Sequence, residues 1–282
     1  MDRRKFIGQT TVGVGAMLLL PELLMANLTS KVKHPIGFQT FPIRDMVASD
    51  FAGTMKTMAS LGYQYTEMCY PKGYANAGFA PLTRVKPADM KKMIEDAGMT
   101  CPSCHFGMGD LKNNFVECMD FANGLGLKQV VTPGLDTPGK TILDFQHAAD
   151  ALNKIAYQIK EEGMATGLHN HEGEFKMLEG QLIYDAILSA LDGDIVKMQF
   201  QTEVIKEGYK AADYFNKYPD RFISAHLSDW TADKKQVPIG KGVIDWKEFF
   251  AAAKTGGVKN FFVEMNFDTY KDSATYIHGL LG

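Results

Sequence analysis

The chain is poor in cysteine, with four in 282 residues. So few exclude a small disulfide scaffold, and only Cys101 and Cys104, in CPSC, stand close enough in sequence to suggest a redox pair. MTCPSCHF reads as a strand, however, and three steps of extended chain hold the two α-carbons roughly 10 Å apart, beyond disulfide reach. A basic excess is missing as well. Thirty Lys and Arg stand against 33 Asp and Glu, mixed along the chain, for a formal net charge of -3. Binding a phosphate backbone calls for a concentrated cationic stripe, so no nucleic-acid partner is expected. No run reaches the roughly 20 apolar residues of a membrane span, so no stable membrane anchor is expected either. The pattern GxGxxG does not follow the first predicted strand, which argues against a dinucleotide-binding, doubly wound sheet.

The first segment reads as an address rather than as fold. MDRRKFIG pairs Arg3 with Arg4, and the apolar run TTVGVGAMLLL follows before Pro21 and Glu22 interrupt it. Residues 1–30 are therefore expected to be a twin-arginine-type signal peptide, with a cut after Ala26 and a periplasmic destination. That leaves residues 31–282 as one domain.

Within it, short apolar or β-branched runs alternate with segments of helical spacing. PIGFQTF precedes SDFAGTMKTMASLG, YQYTEMCY precedes KPADMKKMIEDAG, MTCPSCHFG precedes NNFVECMDFANGLG, and KQVVTPG precedes the long TILDFQHAADALNKIAYQIKEEG. MATGLHNHEGEF, VKMQFQTEV, FISAHLSDW and NFFVEMNF open four further units. Gly62, Gly98, Gly126, Gly163, Gly193 and Gly257 fall where helix C-caps belong. Strand and helix units repeated in this way, without a linker, predict a (β/α)8 TIM barrel.

Chemistry in such a barrel sits at the C-terminal ends of the strands. There the sequence places Glu67, His105, His169, His171, Gln199, Gln201, His226 and Glu264, each embedded in apolar sequence. Burying one such group is costly unless it is paired or bound to a metal, and eight on one rim mark a site. At period two, His169 and His171 share a strand face while Glu172 and Glu174 point away. His171 would then lie one pleat, roughly 7 Å, nearer the mouth than His169.

The order HNHEGEF, MQFQ, SAHLSDW, PIGKGVIDW and FFVEMN, with GYQYTEM and CPSCHFG upstream, resembles the sugar phosphate isomerase/epimerase family with a xylose isomerase-like barrel, from about residue 35 to the end. That resemblance implies one divalent cation held by Glu, Asp, His and Glu from strands five to eight, with the two glutamates doubling as acid and base. Carried over, it makes His169, Gln201, His226 and Glu264 the metal ligands, in one tier of the barrel. His226 and Glu264 match the pattern. Gln201 stands in place of Asp, and His169 in place of the strand-five carboxylate. A cage with three carboxylates overbalances a dication, whereas one carboxylate leaves it net positive and more electrophilic. The nitrogen-rich set favours Zn, Co, Ni, Fe or Mn over Mg, with a metal-free barrel as the alternative.

The chemistry implied is proton abstraction beside a carbonyl, with a Lewis acid stabilising the enolate that forms. Glu264, His171, His105 and Glu174 are the candidate acids and bases, and Glu67, Asp229 and Lys241 the candidate hydroxyl partners. The substrate expected is a small carbohydrate: a sugar, keto-sugar or keto-glycoside. GKG at 240–242 lies where many barrels cradle phosphate, but a tight turn explains its glycines. Elimination or hydration on 3-keto-glycosides or glycals, and a non-catalytic sugar-binding barrel, are the alternatives. A nuclease of the related endonuclease fold is disfavoured by the charge balance and by Gln201. Assembly as a homo-oligomer stays open. Replacing Arg3 and Arg4 by Lys should retain the protein, folded, in the cytoplasm; cell fractionation showing normal export would assign a different route.

Overall fold

The computed structural model describes residues 34–282. Residues 1–30, expected above to be a signal peptide, lie outside the described residues. The barrel strands are β1 Gly37–Gln39, β2 Tyr65–Cys69, β3 Thr100–His105, β4 Gln129–Thr132, β5 Ala165–His169, β6 Val196–Gln201, β7 Phe222–Leu227 and β8 Asn260–Val263. Every neighbouring pair is parallel, and β8 closes on β1. Behind them run α1 Phe51–Ser60, α2 Pro87–Asp96, α3 Phe115–Leu125, α4 Ile142–Glu161, α5 Ile183–Ala190, α6 Ala211–Lys217, α7 Trp246–Gly256 and α8 Tyr270–Leu281. The predicted β/α alternation is therefore the observed one. No helix among the described residues is long and apolar enough to cross a membrane.

Local chemistry fixes where the helices begin and end. Thr141 accepts from the Asp144 amide at 3.1 Å and the Asp144 carboxylate accepts from the Thr141 amide at 3.0 Å, a reciprocal cap that opens α4. Asp245 accepts from the amides of Lys247 and Glu248 at the start of α7, which ends at Gly257 with φ 81°. Gly193 departs from expectation. It has no positive φ, and a Cβ there would meet the Arg221 guanidinium at 2.8 Å, so this glycine makes room for a side chain.

A second departure lies in HNHEGEF. Strand β5 stops at His169, and Glu172–Phe175 turns into a 3-10 helix. The turn delivers Phe175 to an aromatic cluster outside the sheet, stacked on Tyr184 with ring centroids 4.5 Å apart. Burial of that ring overrides the extended reading of the segment.

The barrel interior is unusual in its central layer. TIM barrels fill this space with branched aliphatic residues. Here Gln39, Glu67, Ser103, Gln199 and Ser224 occupy it, each fully buried. The register pairs Gln39 with Glu67, Glu67 with Ser103, and Gln199 with Ser224, so these polar side chains share one level.

All four cysteines are buried and unpaired, with Cys101 and Cys104 both on β3. Thiol titration of the unfolded, unreduced protein should find four free thiols. A mass two hydrogens short would contradict the strand.

Candidate active site

The floor of the site is Glu67. Its carboxylate accepts from Ser103 Oγ at 2.6 Å, Gln199 Nε2 at 2.8 Å, Gln39 Nε2 at 3.1 Å and His226 Nε2 at 2.5 Å. His105 Nε2 lies 3.2 Å away. Burial opposes ionisation, but His105 and His226 outweigh it by charge and hydrogen bonding, and Glu67 is held well below the usual carboxylate range. Every lone pair of this carboxylate is already engaged. Glu67 is therefore not a hydroxyl partner for a substrate; it is the buried anion beneath the histidines.

Three imidazoles stand on that floor. His105, His169 and His226 come from the ends of β3, β5 and β7, are all buried, and bring one ring nitrogen each within 4.8 Å of the others. The His105 and His226 rings stack at 5.3 Å and 5°, and His169 lies 4.5 Å from His226 between centroids. His169 Nδ1 and His105 Nε2 both meet Gln199 Oε1, at 2.9 and 2.8 Å. Burial, followed by the neighbouring His226, His171 and His105, holds the His169 pKa well below the ordinary histidine value, so this ring is neutral.

His226 is the charged one. Its two nitrogens face carboxylates on both sides, Glu67 below and Glu264 Oε2 above at 2.8 Å. Burial disfavours the imidazolium, yet Glu264 and Glu67 together push its pKa up to about 10. Gln201 Nε2 donates to the same Glu264 oxygen at 2.5 Å. Glu264 is likewise kept below its ordinary value: burial raises it, and His226 more than compensates. Its side chain remains 18% exposed, making it the carboxylate of the set that reaches the mouth.

The sequence-derived set thus converges in part. His226, Gln201 and Glu264 are joined by hydrogen bonds and His169 packs against His226, but β5 pairs His169 in unbroken register with Gln199, while Gln201 lies opposite His226 on β7. His105 joins the imidazole cluster instead of standing apart as a base. His171 is exposed at the mouth, its ring 4.8 Å from that of His169. Glu174 does not enter: its carboxylate accepts from the His171 amide at 2.7 Å, inside the 3-10 turn. Asp229 is also removed from the substrate side. It is fully buried and accepts from the amides of Gly240, Gly242 and Trp230 and from Trp246 Nε1, all at 2.9–3.0 Å. The chain's own carboxylate fills the GKG cradle, and Lys241 stands exposed on its outside.

Lys206 escaped the sequence reading. Its Nζ pairs with Glu172 and Glu203, each at 2.5 Å, and lies 4.2 Å from the ring centroid of Trp230. It ties together the loops after β5, β6 and β7. A lone lysine five residues past the strand motif carries no periodic signal.

These residues fit a divalent cation. His226 Nδ1 and Gln201 Nε2 both meet Glu264 Oε2, beside the compact cluster of three buried imidazoles. His169, with Nδ1 bonded to Gln199, leaves Nε2 without a hydrogen-bond partner among the described residues, the usual state of an imidazole ligand oriented from behind. From the compact cluster of His105, His169 and His226, His169 and His226 would hold the ion together with Glu264, and Gln201, bonded to Glu264, stands beside them.

A barrel closed by parallel strands, with imidazole and carboxylate donors at their C-terminal ends, defines a class, and comparison with known proteins names it. The chain belongs to the xylose isomerase-like TIM barrel family, whose model matches residues 55–279. An inosose dehydratase of Clostridium perfringens is 27% identical over 211 residues, covering 65% of this chain and 70% of that protein. A crystal structure of a sugar phosphate isomerase/epimerase from Parabacteroides distasonis superposes with a TM-score of 0.78 at 21% identity, over 89% of this chain and 95% of the other. The zinc-bound IolI protein shares the fold at a TM-score of 0.62 and 14% identity, over 87% and 94%.

Gln201→Asp should tighten zinc binding by about tenfold or more, since a carboxylate replaces a neutral ligand. The same change sets two carboxylates together in the metal-free protein, whose melting temperature should fall. Zinc titration and thermal melts check both, and unchanged values would remove Gln201 from the site.

Proposed function

We propose that this protein is an exported, metal-dependent enzyme acting on a sugar, keto-sugar or keto-glycoside by moving a proton at the carbon beside a carbonyl. The observation that carries this reading is Glu264, an ionised, partly exposed carboxylate braced by His226 and Gln201 at the mouth of a buried imidazole cluster. Bound by His169, His226 and Glu264, a divalent ion would supply Lewis-acid polarisation of the carbonyl.

Held below the ordinary carboxylate range, Glu264 is a weak base. It can take a carbon-bound proton only where the developing negative charge is stabilised close by, which suits a proton next to a carbonyl. His171, exposed at the mouth and in edge contact with His169, is placed to return a proton to carbon or to protonate a departing oxygen. Return to carbon gives isomerisation or epimerisation, the activity named for the Parabacteroides barrel. Protonation of a neighbouring hydroxyl gives loss of water. The Clostridium relative favours this second reading, being an inosose dehydratase. Hydroxyl recognition falls to the rim around Lys206 and Trp230, where an indole face adjoins charged hydrogen-bonding groups.

Proton NMR in heavy water, with zinc or manganese added and a panel of keto-sugars, keto-glycosides and inososes, tests the reading. Deuterium should enter a single carbon beside the carbonyl. An intact carbon skeleton with all hydroxyls marks epimerisation, while a lost hydroxyl marks dehydration. Glu264→Gln should lower the exchange rate by roughly a hundredfold or more. Absence of exchange with every substrate, despite bound metal and demonstrable sugar binding, would leave a non-catalytic binding barrel.

A further inference from the structure

We infer that Gln199 is a positioning residue: its amide decides which nitrogen of His105 and of His169 carries the proton, and so aims the free lone pair of His169 toward the barrel mouth. Ser103, Gln39 and His226 already point donors at the Glu67 carboxylate, and the Gln199 atom that joins them, 2.8 Å from Oε1, is the NH2 group, which also reaches Ser224 Oγ at 2.9 Å. Turning the amide over would press its carbonyl against a buried anion. Gln199 Oε1 is thereby fixed on the opposite side, where it faces His105 Nε2 at 2.8 Å and His169 Nδ1 at 2.9 Å.

A carbonyl oxygen has two lone pairs and no proton. Both imidazole nitrogens facing it must therefore carry hydrogen. For His169 this fixes the Nδ1–H tautomer and leaves the lone pair on Nε2, which has no partner among the described residues. One fully buried side chain thus sets His169 and, together with Glu67 3.2 Å from the same nitrogen, His105 as well. It does so without adding charge: a carboxylate in the same place would accept equally well from the histidines but would stand against Glu67. The role of His169 Nε2 as a ligand rests on the proposed metal site; the tautomer does not.

Long-range proton–nitrogen correlation spectra of metal-free, nitrogen-15-labelled protein read the tautomer directly, with His169 assigned by its disappearance in His169→Gln. The wild type should show His169 protonated on Nδ1. Gln199→Met, similar in length but unable to donate or accept, should move His169 to a mixture or to the Nε2–H form, and zinc affinity measured by chelator competition should drop about 10- to 100-fold. Ser224→Ala, which leaves the Glu67 anchor, should preserve the wild-type tautomer. An Nε2–H signature in the wild type would overturn the inference, as would an unchanged tautomer in Gln199→Met. Should Gln199→Met fail to fold, the wild-type spectrum decides alone, Nδ1–H supporting and Nε2–H opposing. A tautomer shift on substitution with no zinc bound by either protein would support the role of Gln199 and count against the metal site.

Discussion

The site depends on one buried negative charge. Glu67 sits at the centre of the barrel, fully removed from water, and an ionised carboxylate in that position is tolerable only if donors surround it. That requirement accounts for the identity of nearly every residue in the central layer. Ser103 and Gln39 supply neutral donors from the neighbouring strands, Gln199 supplies an amide, and His226 supplies a charged one. A Val, Ile or Leu layer would pack this space as well, but it would neither orient an imidazole nor hold one protonated.

The consequences propagate upward by one strand level. His226, held protonated by Glu264 above and Glu67 below, keeps Glu264 ionised in turn. Gln199, turned by the floor, fixes the two remaining rings. Glu264, His169 and Gln201 thus present at the mouth a mixture of one carboxylate, one neutral imidazole and one amide. Their positions come from rigid strand ends rather than from loops, which gives the arrangement the precision that proton transfer requires.

The alternation of strand and helix was plain in the sequence because each unit carries its own local signals: β-branched or aromatic runs, a helical apolar stripe, and a glycine such as Gly126 or Gly257 at the stop. Rim residues followed from strand parity once the barrel was assumed, and this brought out His105, His169, Gln201, His226 and Glu264. Parity failed where tertiary burial took over. Phe175 pulls HNHEGEF out of the strand and takes Glu174 with it. Glu67 and Asp229 were read as facing substrate because a buried carboxylate among apolar neighbours looks the same in sequence whichever donors satisfy it. Apart from the neighbouring Trp230 amide, the donors to Asp229 come from a loop more than ten positions away and from an indole, and the donors to Glu67 come from several strands. Only the closed barrel brings them together. Lys206 belongs with these, since its two partners and the Trp230 ring stand on separate loops.

The loop after β7 shows what such self-satisfaction does to an apparent ligand cradle. Its backbone amides form the kind of concave, donor-lined pocket that captures an incoming dianion, yet Asp229 already sits in it. An added Cβ at Gly242 would collide with that carboxylate at 2.1 Å, so the enclosure has no spare room. The amides of Gly240 and Gly242 and the Trp246 indole are thus spent on a carboxylate of the same chain, and the glycine loop works as a fastener that clips the end of β7 to the start of α7.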